Sequence, residues 1–248
     1  MSKDNVKVRV TNLTKKFGDL LVLDNISFDV KQGEFLGIVG PTGCGKTTFL
    51  NALSDFIPKD ERIITIEDNA ELQIQGVSNL VRLEARRENT QGEHAITIRD
   101  LIRASLRMRP DRVIVGEVRG EETIDMIQAM NNGHDGSLST GHGNSPRDML
   151  ARLETMVLMG IELPVSAVRR QIASGLDIMV HLGRMRDKSR KVLEIVEIIG
   201  YRYETEEILT HTLFEFEEGR RQSDKLEGSL VKKGELRQRK KLERAGFC

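Results

Sequence analysis

Tryptophan is missing altogether, and two Tyr and eight Phe are the whole aromatic complement of the 248 residues. A surface that stacks nucleic-acid bases on aromatic rings therefore has little to be built from. Cysteine is scarce too. Cys44 and Cys248 are the only two, and neither has a neighbour at metal-ligand spacing, which argues against a disulfide framework or a zinc ribbon. Neither sign of charge is in excess. The 38 Lys and Arg stand against 38 Asp and Glu, unlike a globally basic nucleic-acid coat. No run approaches the roughly 18 apolar residues of a membrane-spanning helix, and the opening MSKDNVKVRV has no apolar signal stretch. These absences predict a soluble, cytoplasmic protein with no nucleic-acid partner.

What is present suffices for a folded core: 38% of the residues are hydrophobic and 22 are glycine. The length fits one large domain, or one with a small appendage. Residues 6–10 and 26–30 alternate apolar and polar positions, as half-buried strands do. The run 35–39 is continuously apolar, which suits a strand covered on both faces. From residue 46 the period changes to helical over 46–53, and strands are expected at 62–66 and 79–85, both buried. Helices are expected at 98–108, 121–130, 146–159 and 164–174, with short strands at 112–115 and 137–140 between them. Strand alternating with helix predicts a mostly parallel α/β sheet. Runs around 178–182 and 192–199, separated by a charged turn, predict a C-terminal β-hairpin. Beyond 219 the chain is polar and charged, and its basic stretch 232–244 reads as a solvated helix or an ordered extension.

The segment Gly40-Pro41-Thr42-Gly43-Cys44-Gly45-Lys46-Thr47, followed by Thr48, matches G-x-x-x-x-G-K-[ST]. It lies where the motif requires, after an apolar strand and before a helix. Glycines let successive backbone N–H groups converge on phosphate oxygens, and the helix N-terminus adds its positive end. The motif places Lys46 at the β- and γ-phosphates of ATP and the Thr47 hydroxyl on Mg²⁺. Cys44 is either a variable position of the loop or a reactive thiol, the former being preferred.

Hydrolysis needs a carboxylate to help hold the metal and a group to orient water. Arg112-Val113-Ile114-Val115-Gly116-Glu117 is an apolar strand ending in an acid, and the carboxyl edge of such a strand is where open α/β sheets place ligands. Ile63-Ile64-Thr65-Ile66-Glu67-Asp68 repeats the arrangement, with Glu67 as a candidate for orienting water. Which of Glu67 and Glu117 is the general base is left open. The segment 133–142 holds two of the five histidines beside small hydroxyl residues, so a His or Thr there is positioned to sense the γ-phosphate.

Three stretches, GKTTFLNALSDFIPKDERIITIEDNAEL, VRLEARRENTQGEHAITIRDLIRASLRMRPDRVIVGEVRG and GHDGSLSTGHGNSPRDMLARLETMV, together resemble the type II/type IV secretion ATPases, above all the Flp/Tad (tight-adherence) pilus branch. The tail GSLVKKGELRQRKKLERAGF resembles the end of that branch. The resemblance implies a P-loop RecA-like fold. It assigns Glu67 to the Asp box, Glu117 to Walker B and to Mg²⁺, and His142 to the His box. It puts Arg82 and Arg119 near the phosphates or a subunit interface. It also implies Mg²⁺-dependent ATP hydrolysis by a ring hexamer, peripheral to the cytoplasmic membrane and docked on a platform protein of a pilus or secretion system. The His box here reads Ser139-Thr140-Gly141-His142-Gly143-Asn144 where the family more often has T-x-H-A-N. Residues 6–48, VRVTNLTKKFGDLLVLDNISFDVKQGEFLGIVGPTGCGKTT, instead resemble the start of an ABC transporter ATPase, which would stack Phe17 on adenine. No L-S-G-G-Q segment follows. The organisation read from this is an ABC-like β segment (1–39), a RecA-like ATPase domain (40–218) and a charged tail (219–248). The ABC-like segment stands where the secretion family carries an N-terminal domain, so impaired ring assembly and turnover are expected. An ABC-type transporter subunit and a nucleotide-binding module without turnover are the alternatives.

Overall fold

The computed structural model describes residues 8–17, 20–30, 36–88, 94–134, 136–219 and 227–238, with side chains before residue 36 described only at Thr14. Strands β1 (Val8–Phe17) and β2 (Leu20–Val30) pair antiparallel as a separate two-stranded sheet. Everything else is built on one nine-stranded sheet, in the order β11-β10-β9-β8-β3-β7-β6-β4-β5.

Six neighbouring strands run parallel: β5 (Asn79–Glu84), β4 (Arg62–Glu67), β6 (Arg112–Val115), β7 (Leu138–Gly141), β3 (Leu36–Val39) and β8 (Ile178–Arg184). Their crossovers carry the helices, as parallel pairing requires. α1 (Lys46–Ser54) lies on one face. α2 (Ile98–Leu106), α3 (Glu122–Asn131), α4 (Pro146–Gly160) and α5 (Val165–Gly175) pack on the other. The continuous apolar runs divide between the two cores by alternation. Leu36 and Ile38 meet Phe49, Leu50 and Leu53 of α1, while Val113 and Val115 join Ile102, Ile124 and Val157 on the opposite side. This accounts for strands that are apolar at every position.

Local signals start the helices. Thr97 and Asp100 form a reciprocal capping box at α2, and the Ser145 hydroxyl accepts the Asp148 N–H ahead of Pro146 in α4. β5 departs from the expected burial. Among the described residues it is the outermost parallel strand, paired with β4 alone and half-exposed along its length, because no described element lies beyond it.

The expected hairpin is β8 with β9 (Arg190–Arg202), and the antiparallel part extends further, through β10 (Glu207–Glu218) to β11 (Gly228–Lys232). Thus part of the charged C-terminal stretch is an edge strand, while 239–248 lie outside the described residues. The Glu197 side chain, buried on β9, accepts the backbone N–H groups of Arg237 and Gln238 and ties the chain after β11 to the sheet.

At the amino ends of the parallel strands, Arg112 of β6 is buried. It pairs with Glu61 at 2.9 Å and also donates to the Gly136 carbonyl just before β7. Three neighbouring strands are knotted together there, at the end of the sheet away from the glycine loop. No helix among the described residues is long and apolar enough to cross a membrane.

Candidate active site

The loop after β3 turns sharply at Gly40, whose φ is +154°. A Cβ at that position would collide with the Leu182 carbonyl and the Cys44 sulfur, so only glycine fits. Gly45 adopts a left-handed conformation (φ 99°) and opens α1 with no side-chain cap, leaving the first turn of the helix to an external acceptor. The Cys44 side chain points into the core, and burial pushes its thiol up. That chemistry suits a packing residue and opposes a reactive thiolate.

Strand order brings the remaining groups to this loop. β4, β6, β7 and β3 are consecutive neighbours, and residues at or just past their carboxyl ends line one cleft of about 570 Å³. Thr42, Gly43, Gly45, Lys46, Thr47 and Thr48 form one wall. Glu67, Glu71, Glu117, Arg119, Thr140 and His142 are among the residues of the others. Lys46 is buried. Its ammonium donates to the carbonyls of Gly40 (2.9 Å) and Pro41 (3.2 Å) and lies 3.4 Å from His142 Nδ1. Burial lowers its pKa.

Glu117 lies between two partners. Oε2 accepts from Arg119 Nε at 2.8 Å, and Oε1 touches His142 Nε2 without an aligned hydrogen bond. Arg119 also approaches Asp68 at 3.4 Å. Burial, with Lys46 adding to it, pushes the His142 pKa down against the opposing pull of Glu117, so the neutral imidazole is favoured. The Thr140 hydroxyl donates to the Gly116 carbonyl at 2.6 Å and fixes the chain that carries Glu117.

Glu67 does something the sequence does not announce. It is buried, and its Oε1 accepts the backbone N–H groups of Glu71 (3.0 Å) and Leu72 (2.9 Å), which folds the loop after β4 back on itself. Burial is the largest influence on its carboxyl and raises the pKa despite those bonds. The fold-back delivers Glu71, whose Oε2 takes the Thr47 hydroxyl hydrogen bond at 3.4 Å. The sequence reading misses Glu71. The available signal is a third acid in EDNAE, but its direction depends on the loop. Arg190 at the start of β9 is missed as well, although it lines the cleft and donates from Nε to the Gly43 carbonyl at 2.8 Å.

Arg82 stands apart. It lies on the edge strand β5, donates to the Ile74 carbonyl at 3.1 Å and does not line the cleft. The Phe17 side chain lies outside the described residues.

Fold and cleft together define the class: a RecA-like α/β domain with a glycine-rich loop at the carboxyl edge of its sheet. The family model described as type II/IV secretion system protein matches residues 2–222, and the chain belongs to that family. A putative conjugal transfer protein of Mycobacterium tuberculosis is 43% identical over 158 residues, or 64% of this chain and 44% of that protein. The type IV secretion system protein PtlH of Bordetella pertussis is 38% identical over 177 residues, or 69% of this chain and 52% of that protein. Among solved structures, the VirB11 ATPase of the Brucella suis type IV secretion system, in complex with sulphate, superposes with a TM-score of 0.60 at 35% identity. That match covers 66% of this chain and 48% of the other. The chain thus spans about half the length of the relatives it matches.

Proposed function

We propose that this chain is an ATP-hydrolysing motor domain of a type II/IV secretion or pilus-assembly machine, in the Flp/Tad branch. The observation that carries the reading is the convergence of Lys46, Thr47, Glu71, Glu117 and His142 on one cleft beside an uncapped helix N-terminus. The description of the Brucella suis relative as an ATPase, with sulphate bound, supports the activity. The Flp/Tad placement rests on the sequence stretches quoted above. Residues 6–48 are read, on the stretch quoted above, as an ABC-like segment joined to the secretion-type domain; within them β1 and β2 pair as a two-stranded sheet of their own.

The backbone N–H groups of the loop and α1 bind the phosphates, and the Lys46 ammonium turns from its loop carbonyls to the terminal phosphate oxygens. Glu71, which accepts the Thr47 hydroxyl hydrogen bond, is assigned the role of accepting a proton from the attacking water. Glu67 holds that loop in place, and Glu117 with His142, which touch each other, are assigned to the γ-phosphate. The Thr47 hydroxyl beside the Glu71 carboxylate, with Glu117 lining the same cleft, offers hard oxygens that fit Mg²⁺, which commonly takes one or two protein ligands and completes its shell with phosphate and water. Thr47 and Glu117, the latter through water, would hold it, and bound there it would neutralise phosphate charge. A homohexamer docked on a membrane platform protein is the assembly proposed with this activity.

The test is Lys46→Ala. It is expected to abolish ATP binding or cut turnover by at least about 10²-fold, since several kcal/mol of charge stabilisation are lost. Unchanged affinity and phosphate release in the folded variant would refute the site. ATP binding by the parent without phosphate release would favour the non-catalytic module instead.

A further inference from the structure

Arg190 is a cation with spare donors at the mouth of the cleft. It opens β9, where it pairs in register with Arg184 of β8. The turn between the two strands is rigidly tied. The Met185 N–H donates to the Ser189 carbonyl at 2.8 Å, the Lys188 N–H to the Met185 carbonyl at 2.9 Å, and Asp187 accepts both the N–H and the hydroxyl of Ser189. This turn aims the half-buried Arg190 side chain across to the apex of the glycine loop, where Nε donates to the Gly43 carbonyl at 2.8 Å.

That bond uses one of five guanidinium N–H donors. No carboxylate among the described residues forms an ion pair with Arg190, whereas Arg119 on the opposite wall is held by Glu117 and Asp68. Lys46, the other cation of the loop wall, is also bonded to carbonyls and not to an acid. An unpaired planar fork fixed beside a phosphate loop fits a phosphate oxygen in both charge and geometry.

We infer that Arg190 is a phosphate-binding and loop-positioning residue. Nε holds the Gly43 carbonyl so that the loop amides face inward, and the terminal nitrogens bind a phosphate oxygen of the nucleotide. The inference rests on the ATPase reading above and assigns that site an arm from the antiparallel half of the sheet. It ties the β8–β9 turn to the presence of nucleotide.

The experiment compares Arg190→Gln, Arg190→Lys and the parent in the full chain, by titration with ATP and ADP and by thermal melting without nucleotide. Gln keeps an N–H able to reach the Gly43 carbonyl but carries no charge, while Lys keeps the charge without the fork. Arg190→Gln is expected to weaken ATP and ADP binding by about tenfold while melting as the parent does without nucleotide. Arg190→Lys is expected to recover part of that loss. The added stabilisation that saturating ATP gives the parent should shrink in Arg190→Gln. Affinity in Arg190→Gln equal to the parent's, or a loss matched by a lower melting point without nucleotide, would overturn the phosphate contact. A parent that binds no ATP would overturn the ATPase reading and this inference together, whereas a parent that binds with Arg190→Gln unchanged overturns only the inference.

Discussion

Glu67 ends β4 and Glu71 lies four positions on in the loop that follows, yet their carboxylates take different partners. Glu67 spends its Oε1 on two backbone N–H groups, and Glu71 turns to the Thr47 hydroxyl. Replacing either by glutamine keeps an oxygen acceptor and removes the charge. Glu71→Gln should bind ATP normally and release phosphate at least about 10²-fold more slowly, the usual scale for losing a general base. Glu67→Gln should retain the loop, because its amide oxygen still accepts both bonds, and should lose less activity. Phosphate-release kinetics beside equilibrium ATP binding check the pair, and a larger defect in Glu67→Gln would return water management to that residue. At this scale the sequence points to Lys46 and Thr47 through a motif of fixed spacing, to Glu117 as the acid that ends an apolar strand, and to His142 through the family resemblance. Glu71 and Arg190 stay hidden. Their directions depend on a buried acid folding a loop back and on a distant hairpin turn, and neither has a local signature.

Among the elements, the amino ends of β4, β6 and β7 are joined through Arg112, Glu61 and the Gly136 carbonyl. Glu61→Ala would leave a buried guanidinium without its counter-charge, at a cost of about 3–5 kcal/mol. Urea unfolding should show the loss as a lower midpoint with an unchanged slope. At the far edge, β11 covers β10, and Leu230 and Leu236 pack against the core that contains α1. A chain ending at Gly219 should lose about 2 kcal/mol, which lowers the melting temperature by roughly 4–8 °C at this size. It should also self-associate through the uncovered β10 edge, visible as light scattering that grows with concentration. A variant melting as the parent does would show that β11 adds nothing to stability. The central strands are readable in the sequence because burial on both faces makes them continuously apolar. β10 is not, because EILTHTLFEFEE interrupts its apolar positions with Thr, His and Glu that a half-exposed antiparallel strand tolerates. β5 is readable as a strand but not as an edge, since only the sheet order decides what lies beyond it.

For the molecule as a whole, Asp68, Glu117 and Arg119 line the cleft beside the glycine loop and also a second, open cleft of about 640 Å³ on its flank. The second cleft carries both signs of charge: Arg86, Arg87 and Arg99 line it together with Glu88, Glu121 and Glu122. In the ring assembly proposed above, a neighbouring copy seated there would approach the phosphates of the proposed site from this flank. Turnover per chain should therefore be low in dilute protein and rise with protein concentration, in step with assembly seen by light scattering. A constant specific activity across that range would mean that one chain is sufficient. The knot at Arg112 has a consequence for adaptation. It lies at the opposite ends of the strands from Lys46 and Glu117, so substitutions that raise heat tolerance there and substitutions that tune turnover at the cleft draw on separate residues. A lineage moving to a hotter habitat could strengthen one end of the sheet while leaving the rate set at the other nearly untouched, and so escape much of the usual exchange of activity for stability.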